Sequence, residues 1–276
     1  MDMKNRNDLS TVPIFIISYN RVACLKELIA WLKNAKYENI IIVDNASTYP
    51  PLIDFLKETS CKVEYLPSNM GHLAVWKCGL FDDILKKQYY VVTDCDVVPD
   101  KDCPFDIVEH CYQLLKKLPS LTKVGPSLRI DNIPDSFAKK QQLIEWESQF
   151  WSEAIDSLPL YKAPIDTTFA LYRPDIYPEN RKWFASGRTF PPYQACHLPW
   201  YDDTQNPTEE TQHYQQKVLL GSSHWLTPEA LLRDENAKLR QQVLMLQRDF
   251  AFAKLHWTAQ ILYGLKVLCR KIFKRS

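Results

Sequence analysis

The chain has 276 residues, of which 46% are apolar and 12% aromatic, and its formal net charge at pH 7 is +1. This composition can supply a sizeable core and excludes an intrinsically disordered chain. The near-zero charge excludes a protein that binds polyanions over its whole surface, so we expect no nucleic-acid partner.

The pattern of cysteines and the length of the apolar runs indicate the cellular compartment of the protein. The eight cysteines are scattered and form no Cys-x-x-Cys pair. Residues 1–10 are polar, and the apolar stretch 12–17 is too short for the core of a signal peptide. No apolar run approaches the ~18 residues that span a bilayer. We therefore expect a cytoplasmic protein with reduced, mostly buried thiols.

The first hundred residues alternate apolar, β-branched runs with amphipathic stretches. Strands are predicted over residues 12–17, 40–43, 63–66 and 89–93. Helices are predicted between them, over residues 22–32, 50–56 and 71–80. This alternation predicts an α/β fold whose mostly parallel central sheet is flanked by helices on both faces.

The rest of the chain is less regular. A helical stripe covers residues 105–118, strand-like runs follow at 124–129 and 168–172, and a loop-rich region extends to Trp225. From Leu232 to Phe250, apolar residues are spaced by four and three, with Asn236 as the polar member, which predicts a short coiled coil and a homodimer. We therefore divide the chain into one α/β domain, residues 1–226, and a C-terminal helical region, residues 227–276.

The end of the chain is basic and amphipathic. After Ala251 there is no acidic residue, and six basic residues alternate with apolar ones. This pattern predicts a helix that lies on an anionic membrane surface, at the inner face of the cell membrane. A helix that packs on the main domain and leaves its basic side in water is the alternative.

Polar clusters follow all four predicted strands, at residues 18–21, 44–47, 68–71 and 94–96. Ligands of parallel sheets bind beyond the carboxyl ends of the strands, so we expect the four clusters to meet at one edge. Asp94 and Asp96 end the last of these strands. Paired carboxylates can bind Mg²⁺ or Mn²⁺, which would neutralise a departing diphosphate. A solvated aspartate pair in a turn is the alternative.

In order, these segments read Ile16-Ile17-Ser18-Tyr19-Asn20-Arg21, Ile42-Val43-Asp44-Asn45-Ala46-Ser47, Ser68-Asn69-Met70-Gly71 and Thr93-Asp94-Cys95-Asp96. They resemble the donor-binding half of family 2 glycosyltransferases with the GT-A fold. Residues 124–131, 165–173 and 197–201 resemble a bacterial branch of that family more loosely. The resemblance implies a GT-A domain that moves a sugar from a nucleotide-sugar, expected to be a UDP-sugar, to a glycan or lipid-linked saccharide in surface polysaccharide synthesis, with inversion.

The resemblance also implies roles for single residues. The nucleoside pocket would be lined by Ser18, Tyr19, Asn20 and Arg21. Asp44 would contact the base or ribose, and Asn69 and Gly71 would lie beside the nucleotide. Asp94 would meet the ribose or sugar and the metal, and Asp96 would bind the metal. Helix capping by Ser18 or Asn20, an Asx turn at Asp44, and a simple turn at Asn69 are the alternatives.

An inverting transfer needs a carboxylate that takes the proton of the acceptor hydroxyl. Family 2 enzymes place an acidic pair near the start of a late helix, and Glu209 and Glu210 follow Thr208, a predicted N-cap. The chain lacks the plain Glu-Asp pair of better-known members, and the helix dipole favours acidic residues in a first turn without catalysis. Glu209, Glu210 and Asp203 are the candidate bases.

Histidines and aromatic residues complete the candidate site. Some GT-A enzymes recruit a late histidine as a metal ligand, which makes His197 and His224 candidates beside the carboxylates, with cleft histidines that only donate hydrogen bonds as the alternative. Trp146 and Trp200 are candidate stacking surfaces for the acceptor sugar, or core residues. Glu147 and Asp166 are candidate partners of acceptor hydroxyls.

Two other functions stay open at this point. A nucleotidyltransferase that makes nucleotide-sugars would need a Gly-rich basic loop after the first strand, and residues 18–21 contain no glycine. A scaffold that uses the coiled coil and the basic tail would not need Asp94 and Asp96, which are both present.

Overall fold

A computed structural model describes residues 9–155 and 158–218, together with residues 239, 240, 242, 243 and 245. By its contacts the chain divides into two compact units, Met1–Val218 and Leu219–Ser276. The predicted boundary at residue 226, the candidate ligand His224, and most of the predicted coiled coil and basic tail lie outside the described residues. Among the described residues, no helix is long and apolar enough to cross a membrane.

The described residues of the first unit form one sheet of nine strands. The strands are β1 Ile14–Ser18, β2 Ile40–Asp44, β3 Lys62–Tyr65, β4 Tyr90–Asp94, β5 Val97–Pro99, β6 Lys123–Leu128, β7 Leu160–Lys162, β8 Ala170–Tyr172 and β9 Ser186–His197. Their order is β3-β2-β1-β4-β8-β6-β9-β5, and β7 pairs with β9.

Seven α-helices accompany the described part of this sheet. They are α1 Val22–Asn34, α2 Pro50–Glu58, α3 Ala74–Lys77, α4 Asp82–Lys87, α5 Ile107–Lys117, α6 Lys140–Ser148 and α7 Glu209–Lys217. Pro50 stands at the start of α2, where its missing N–H costs nothing. The single helix predicted over residues 71–80 is wrong. A 3₁₀ turn, Gly71–Leu73, precedes the short α3, and the chain then turns at Gly79, whose φ is +70°.

The sheet has a parallel half and a mixed half. Strands β1 to β4 pair in parallel, as predicted for the first hundred residues. β8 then runs antiparallel to both β4 and β6, and β9 runs parallel to β6 but antiparallel to β5 and β7. The fold is therefore α/β with a mixed sheet, and its parallel half carries the predicted ligand-binding edge.

The main core lies on one face of the parallel half. Alternate strand residues such as Phe15, Val43 and Val92 pack there with Trp76 and Leu85 from the α3–α4 region. Helix α1 buries Leu25, Leu28, Ile29 and Leu32 and contacts β5, and α5 contacts β6 and β8. Burial on both sides explains why β1, β2 and β4 read as continuous apolar runs.

Candidate functional site

The four polar turns that follow β1, β2, β3 and β4 lie side by side. The N–H of Asn45 donates to the carbonyl oxygen of Ser18 (2.9 Å), and that of Leu66 donates to Asp44 (2.9 Å). The N–H of Cys95 donates to Ile17 (3.0 Å). Parallel strands in register deliver their carboxyl ends to the same edge, so the predicted convergence of these turns is confirmed. We call this edge the donor rim: residues 18–21, 44–49, 68–71 and 94–96.

Two asparagines connect neighbouring turns of the donor rim. Asn20 Oδ1 accepts from the backbone N–H groups of Thr48 (2.7 Å) and Tyr49 (2.9 Å). Asn45 Oδ1 accepts from the N–H of Met70 (2.7 Å), and its Nδ2 donates to the carbonyl oxygen of Gly71 (3.0 Å). Asn20 and Asn45 therefore fix the shape of the rim, and Asn45 is a residue that the list of candidates missed.

The backbone of the rim carries local strain. Asn20 and Ala46 have φ of 53° and 61°, in the left-handed region that side-chain-bearing residues seldom occupy. Such residues cost of order 1 kcal/mol or more and concentrate at ligand-binding turns. Asn69 accepts from the N–H of Gly71 (2.8 Å), whose own φ is 75°. The predicted nucleotide residues Asn69 and Gly71 thus form a tight turn at the rim.

Asp94 and Asp96 lie in different surroundings. Asp94 Oδ2 accepts a hydrogen bond of 2.6 Å from the hydroxyl of Thr167. Asp96 lies 3.5 Å from Arg21 Nε and 3.7 Å from His197 Nε2, both distances measured from its carboxylate oxygens. Burial, followed by repulsion from the Asp96 carboxylate, raises the pKa of Asp94 well above its usual range. A cation between the two carboxylates would relieve that repulsion.

Five buried polar atoms at or beside the donor rim have no hydrogen-bond partner among the described residues. They are Ser18 Oγ, Asn20 Nδ2, Arg21 Nε, Asp44 Oδ1 and His197 Nδ1. Leaving a buried polar group unsatisfied costs about 1–3 kcal/mol, so such groups are rare except where a ligand, ion or water completes them. Their concentration here is the feature expected of a binding site for a polar ligand.

The chemistry of the donor set also fits a divalent cation. Asp94 and Asp96 supply carboxylate oxygens, and burial lowers the pKa of His197 below its usual value, which keeps its imidazole neutral. The described residues contain no group of three His, Cys, Asp or Glu side chains already gathered as a metal cage. Mg²⁺-type sites at nucleotides commonly use one or two carboxylates, with phosphate and water as the other ligands. Asp94 and Asp96 suit that arrangement.

Helix α7 packs against the donor rim. The Arg21 guanidinium lies 4.0 Å from the centre of the Tyr214 ring, and Tyr19 donates from its hydroxyl to the carbonyl oxygen of Lys217 (2.8 Å). His213 Nε2 lies 3.1 Å from the Thr48 hydroxyl. Tyr214 and His213 were not among the site candidates, because a helix of polar residues gives no sequence signal for what it contacts.

The three candidate bases have different environments. The Glu210 carboxylate accepts from the N–H groups of Val22 (3.0 Å) and Ala23 (3.1 Å) at the start of α1. Asp203 accepts from the N–H of Gln205 (2.9 Å) and from the Asn206 side chain (2.8 Å) within its own turn. The Glu209 carboxylate has no hydrogen-bond partner in the described part of the chain. Of the three, Glu209 therefore has the carboxylate that remains available to a substrate.

Glu209 and two residues of the donor rim, Arg21 and Tyr49, line the same cleft, whose volume is about 400 Å³. It is lined by Arg21, Ala23, Cys24, Tyr49, Asp202, Thr208, Glu209, Glu210 and Thr211. Arg21 thus faces both this cleft and Asp96, since its side chain contacts each of them. The N-cap of α7 is Thr208, as predicted, and it accepts from the N–H of Thr211 (3.2 Å).

The four candidate acceptor residues do not form one surface. Glu147 is buried in an ion pair with Arg188 and is shielded from solvent. Trp200 is also buried, with its ring 4.8 Å from that of His197. Asp166 is exposed and lies 3.8 Å from His72 Nε2, beside the third turn of the rim. Trp146 is half exposed on α6. Glu147 therefore lies in a buried ion pair where a sugar has no access, whereas Asp166 is exposed close to the donor rim.

Comparison with known proteins gives the family. The model of the family described as glycosyl transferase family 2 matches residues 14–180. The chain belongs to glycosyl transferase family 2. The family assignment favours glycosyl transfer over the nucleotidyltransferase and scaffold hypotheses. A comparison with curated proteins gives no match.

Several solved structures are similar to this family 2 chain. A mannosyltransferase from Pyrobaculum calidifontis, solved with GDP-Man and Mn²⁺, is 12% identical with a TM-score of 0.44, over 74% of this chain and 59% of that one. TarS from S. aureus is 14% identical with a TM-score of 0.43, over 74% and 68%. Glucosyl-3-phosphoglycerate synthase from Mycobacterium tuberculosis, with phosphoglyceric acid, is 14% identical with a TM-score of 0.37, over 59% and 57%. The chain spans about three fifths of the length of the mannosyltransferase.

Proposed function

We propose that this family 2 enzyme is a metal-dependent transferase that moves a sugar from a nucleotide-sugar to a saccharide acceptor with inversion. The observation that carries the proposal is the donor rim, where the first two strand-end turns and His197 place five buried polar atoms, unsatisfied among the described residues, at or beside the turn that carries Asp94 and Asp96. A ligand rich in hydrogen-bonding groups and negative charge would complete those atoms. A nucleoside diphosphate that carries a sugar has this chemistry.

We assign the nucleoside to the first two turns of the rim. Three buried atoms there have no hydrogen-bond partner among the residues that the structure describes: Ser18 Oγ, Asn20 Nδ2 and Asp44 Oδ1. Together they offer two donors and an acceptor for a base or ribose. Tyr19 would add an aromatic surface beside them. UDP-sugars are the first donors to test.

We assign the diphosphate to Asp96, Asp94 and Arg21. Mn²⁺ or Mg²⁺ held by the two aspartates would stabilise the negative charge that develops on the leaving diphosphate. Arg21 is close enough to act on the same charge, because its guanidinium already lies at Asp96. Burial acts to lower the pKa of Arg21, but Asp96 and other nearby groups raise it overall, so the side chain stays cationic. His197 is the candidate third protein ligand among the described residues.

We assign the role of general base to Glu209. Its carboxylate lines the cleft beside Arg21, whereas Glu210 and Asp203 are held by backbone N–H groups. Glu209 would accept the proton of the acceptor hydroxyl as that oxygen attacks the anomeric carbon from the face opposite the diphosphate. Asp166 beside the rim is the candidate contact for sugar hydroxyls, and Trp146 is a candidate stacking surface.

The acceptor and the tail belong to the same proposal. We propose that a lipid-linked or glycan acceptor is extended in surface polysaccharide synthesis, at the inner face of the cell membrane. Residues 227–276 would supply a short coiled coil, which forms a homodimer, and a basic helix that holds the enzyme at anionic lipid. These residues follow a catalytic domain that we place at 1–226.

One experiment tests the core of this proposal. The purified protein is incubated with a panel of nucleotide-sugars, with Mn²⁺ or Mg²⁺, and nucleoside diphosphate release is measured. We expect release with at least one donor, loss of release on addition of EDTA, and recovery when excess Mn²⁺ is returned. Turnover that EDTA does not change would contradict the metal role, and release of pyrophosphate from a nucleoside triphosphate and a sugar-1-phosphate would contradict the reaction.

A further inference from the structure

A hydroxyl outside all the predicted site residues holds one of the two rim carboxylates. Thr167 is almost fully buried, and its Oγ1 donates to Asp94 Oδ2 at 2.6 Å. The backbone joins the same two residues, since the N–H of Asp94 donates to the carbonyl oxygen of Thr167 at 2.9 Å. Residues that are 73 positions apart are therefore fixed to each other at both the backbone and the side chain.

The segment that carries Thr167 is itself fixed by side chains from two strands. We call residues 163–167 the support segment. Ser186 Oγ donates to the carbonyl oxygen of Ala163 (2.8 Å) and accepts from the N–H of Ile165 (3.1 Å). The Tyr172 hydroxyl donates to the carbonyl oxygen of Asp166 (3.1 Å). The support segment lies outside the regular strands, yet these bonds from β8 and β9 hold its backbone in place.

A buried ion pair supports the same segment from behind. Arg188 Nε donates to the carbonyl oxygen of Pro164 (2.9 Å), and its NH1 group pairs with the Glu147 carboxylate. Both side chains of this pair are at least nine-tenths buried. Glu147, predicted from sequence to contact the acceptor, thus belongs to the structure that places Thr167.

We propose that Thr167 is a positioning residue, which holds Asp94 in one rotamer so that Asp94 Oδ1 faces the cation and diphosphate. The inference rests on the proposed metal-dependent function. A short hydrogen bond from a neutral hydroxyl to a carboxylate fixes its direction without neutralising it. Asp94 Oδ1 has no hydrogen-bond partner among the described residues, which leaves that oxygen for a ligand.

The test uses a matched pair of variants in the full chain. Thr167→Val keeps the shape of the side chain and removes the hydroxyl, and Thr167→Ser keeps the hydroxyl and removes the methyl group. Binding of Mn²⁺ is measured from the EPR signal of free Mn²⁺, with UDP or GDP present. We expect Thr167→Val to weaken Mn²⁺ binding by about tenfold, as for loss of a hydrogen bond to a charged group. Thr167→Ser should stay within about threefold of the wild type.

The double variant with Asp94→Asn separates positioning from a general loss of structure. If Thr167 acts through Asp94, Thr167→Val should add no further loss of Mn²⁺ binding in the Asp94→Asn background. Equal weakening by Val and Ser, additive losses in the double variant, or unchanged binding in Thr167→Val would each overturn the inference. If Thr167→Val does not fold, Thr167→Ala is measured against Ser instead.

The proposed function can fail separately. If the wild-type protein binds no Mn²⁺ with either nucleotide, or if Asp94→Asn and Asp96→Asn bind it as well as the wild type does, the metal role is wrong and the inference falls with it. If the aspartate variants lose Mn²⁺ but Thr167→Val does not, only the inference about Thr167 is wrong.

Discussion

The two halves of the sheet contribute to the site by different means. In residues 14–99, the site is made of backbone turns at the ends of parallel strands, connected by short polar side chains such as Asn20 and Asn45. In residues 123–217, the site is lined by single side chains from the segment that carries Thr167, from β9 and from α7. Buried or half-buried basic side chains also lie in this half, at Arg188, Arg173 and Lys123.

The two halves therefore differ in which groups stabilise the site. In the parallel half, strand register aligns the turns, and polar side chains such as Asn20 and Asn45 fix their shape. The mixed half depends on a few charged groups whose loss leaves a partner buried. Arg173, for example, donates to the carbonyl oxygens of Leu115 and Leu121 and to the Tyr89 hydroxyl. We therefore expect substitutions in the first half to affect chemistry, and those in the second to affect folding.

The largest effect on chemistry is expected at Asp96. Asp96→Asn should lower turnover roughly 10³-fold or more, about 4 kcal/mol in activation free energy, because the diphosphate loses a charged cation ligand. Nucleotide release under saturating donor and Mn²⁺ measures it. Asp83→Asn is the control, since Asp83 is exposed on α4 and its ion pair among the described residues is with Lys87. A variant at Asp96 with more than a tenth of wild-type turnover would contradict the assignment.

The largest effect on stability is expected in the mixed half, at Arg188. Arg188→Met leaves the Glu147 carboxylate buried without its partner, so the free energy of unfolding should fall by about 3–4 kcal/mol. Urea denaturation measures it. Lys162→Met is the matched control. It breaks an exposed 3.0 Å ion pair with Glu153 in the same part of the sheet, and it should change stability by about 0.5 kcal/mol or less. Similar losses in the two variants would remove the contrast between buried and exposed pairs.

The strands and turns of the parallel half could be predicted from the sequence, because the signals there are local. The apolar, β-branched runs of β1, β2 and β4 are long enough to identify buried strands, and the chain order of strands and turns decides which residues meet. Asp94 and Asp96 at the end of β4 could be predicted in this way. The helix predicted over residues 71–80 failed at Gly79, a local feature whose positive φ ends the helix early.

The mixed half could not be predicted to the same depth, because its contacts connect distant residues. Thr167 meets Asp94, and Glu147 meets Arg188, through pairings of β8 and β9 that no local pattern specifies. Gly125 shows the same limit. A Cβ at this position would lie 2.0 Å from the carbonyl oxygen of Phe169, so β6 and β8 can approach only because the residue is glycine. The sequence shows the glycine but not its neighbour.

Helix α7 allows a test of the base within one acidic pair. Glu209→Gln should lower kcat by about 10²-fold, near 2.7 kcal/mol, and should flatten the acid side of the kcat–pH profile, because the amide cannot take a proton. Glu210→Gln keeps an oxygen that can accept from the N–H groups of Val22 and Ala23, so it should change kcat by a few-fold at most. The reverse ranking of the two variants would move the base to Glu210.

At Lys123 we expect a smaller effect, which is a rise in the free energy of unfolding and so has the opposite sign to the fall expected at Arg188. Its side chain is fully buried in the mixed half, with Nζ 3.7 Å from the centre of the Trp183 ring, and burial lowers its pKa to about 7. Unfolded lysine has a pKa of about 10.4, so between these values the unfolded chain holds a proton that the folded chain does not. The contribution of Lys123 to stability therefore rises with pH across that window and is least favourable at and below pH 7.

Lys123→Met should remove this penalty. We expect the free energy of unfolding to rise by about 2 kcal/mol at pH 7, and the gain to shrink as the pH approaches 10. Chemical denaturation at a series of pH values measures it. Lys117→Met, an exposed change on α5, is the control and should show no such pH dependence. A destabilised Lys123→Met protein would mean that the contact of the ammonium with the aromatic rings outweighs the cost of burying it.

The smallest effect is expected at a contact between the two halves, where Glu210 in α7 caps a helix of the parallel half. Glu210→Ala should lower the free energy of unfolding by about 1 kcal/mol, because the N–H groups of Val22 and Ala23 lose a carboxylate at the positive end of α1. Glu209→Ala removes the adjacent carboxylate, which accepts no hydrogen bond from α1 among the described residues, and should stay within about 0.5 kcal/mol of the wild type. Because a cap satisfies backbone donors locally, the loss should also appear as faster amide hydrogen exchange at the first turn of α1. Equal effects of the two alanine variants would mean that the charge of α7 matters in general, and that the contact between Glu210 and α1 is not the cause.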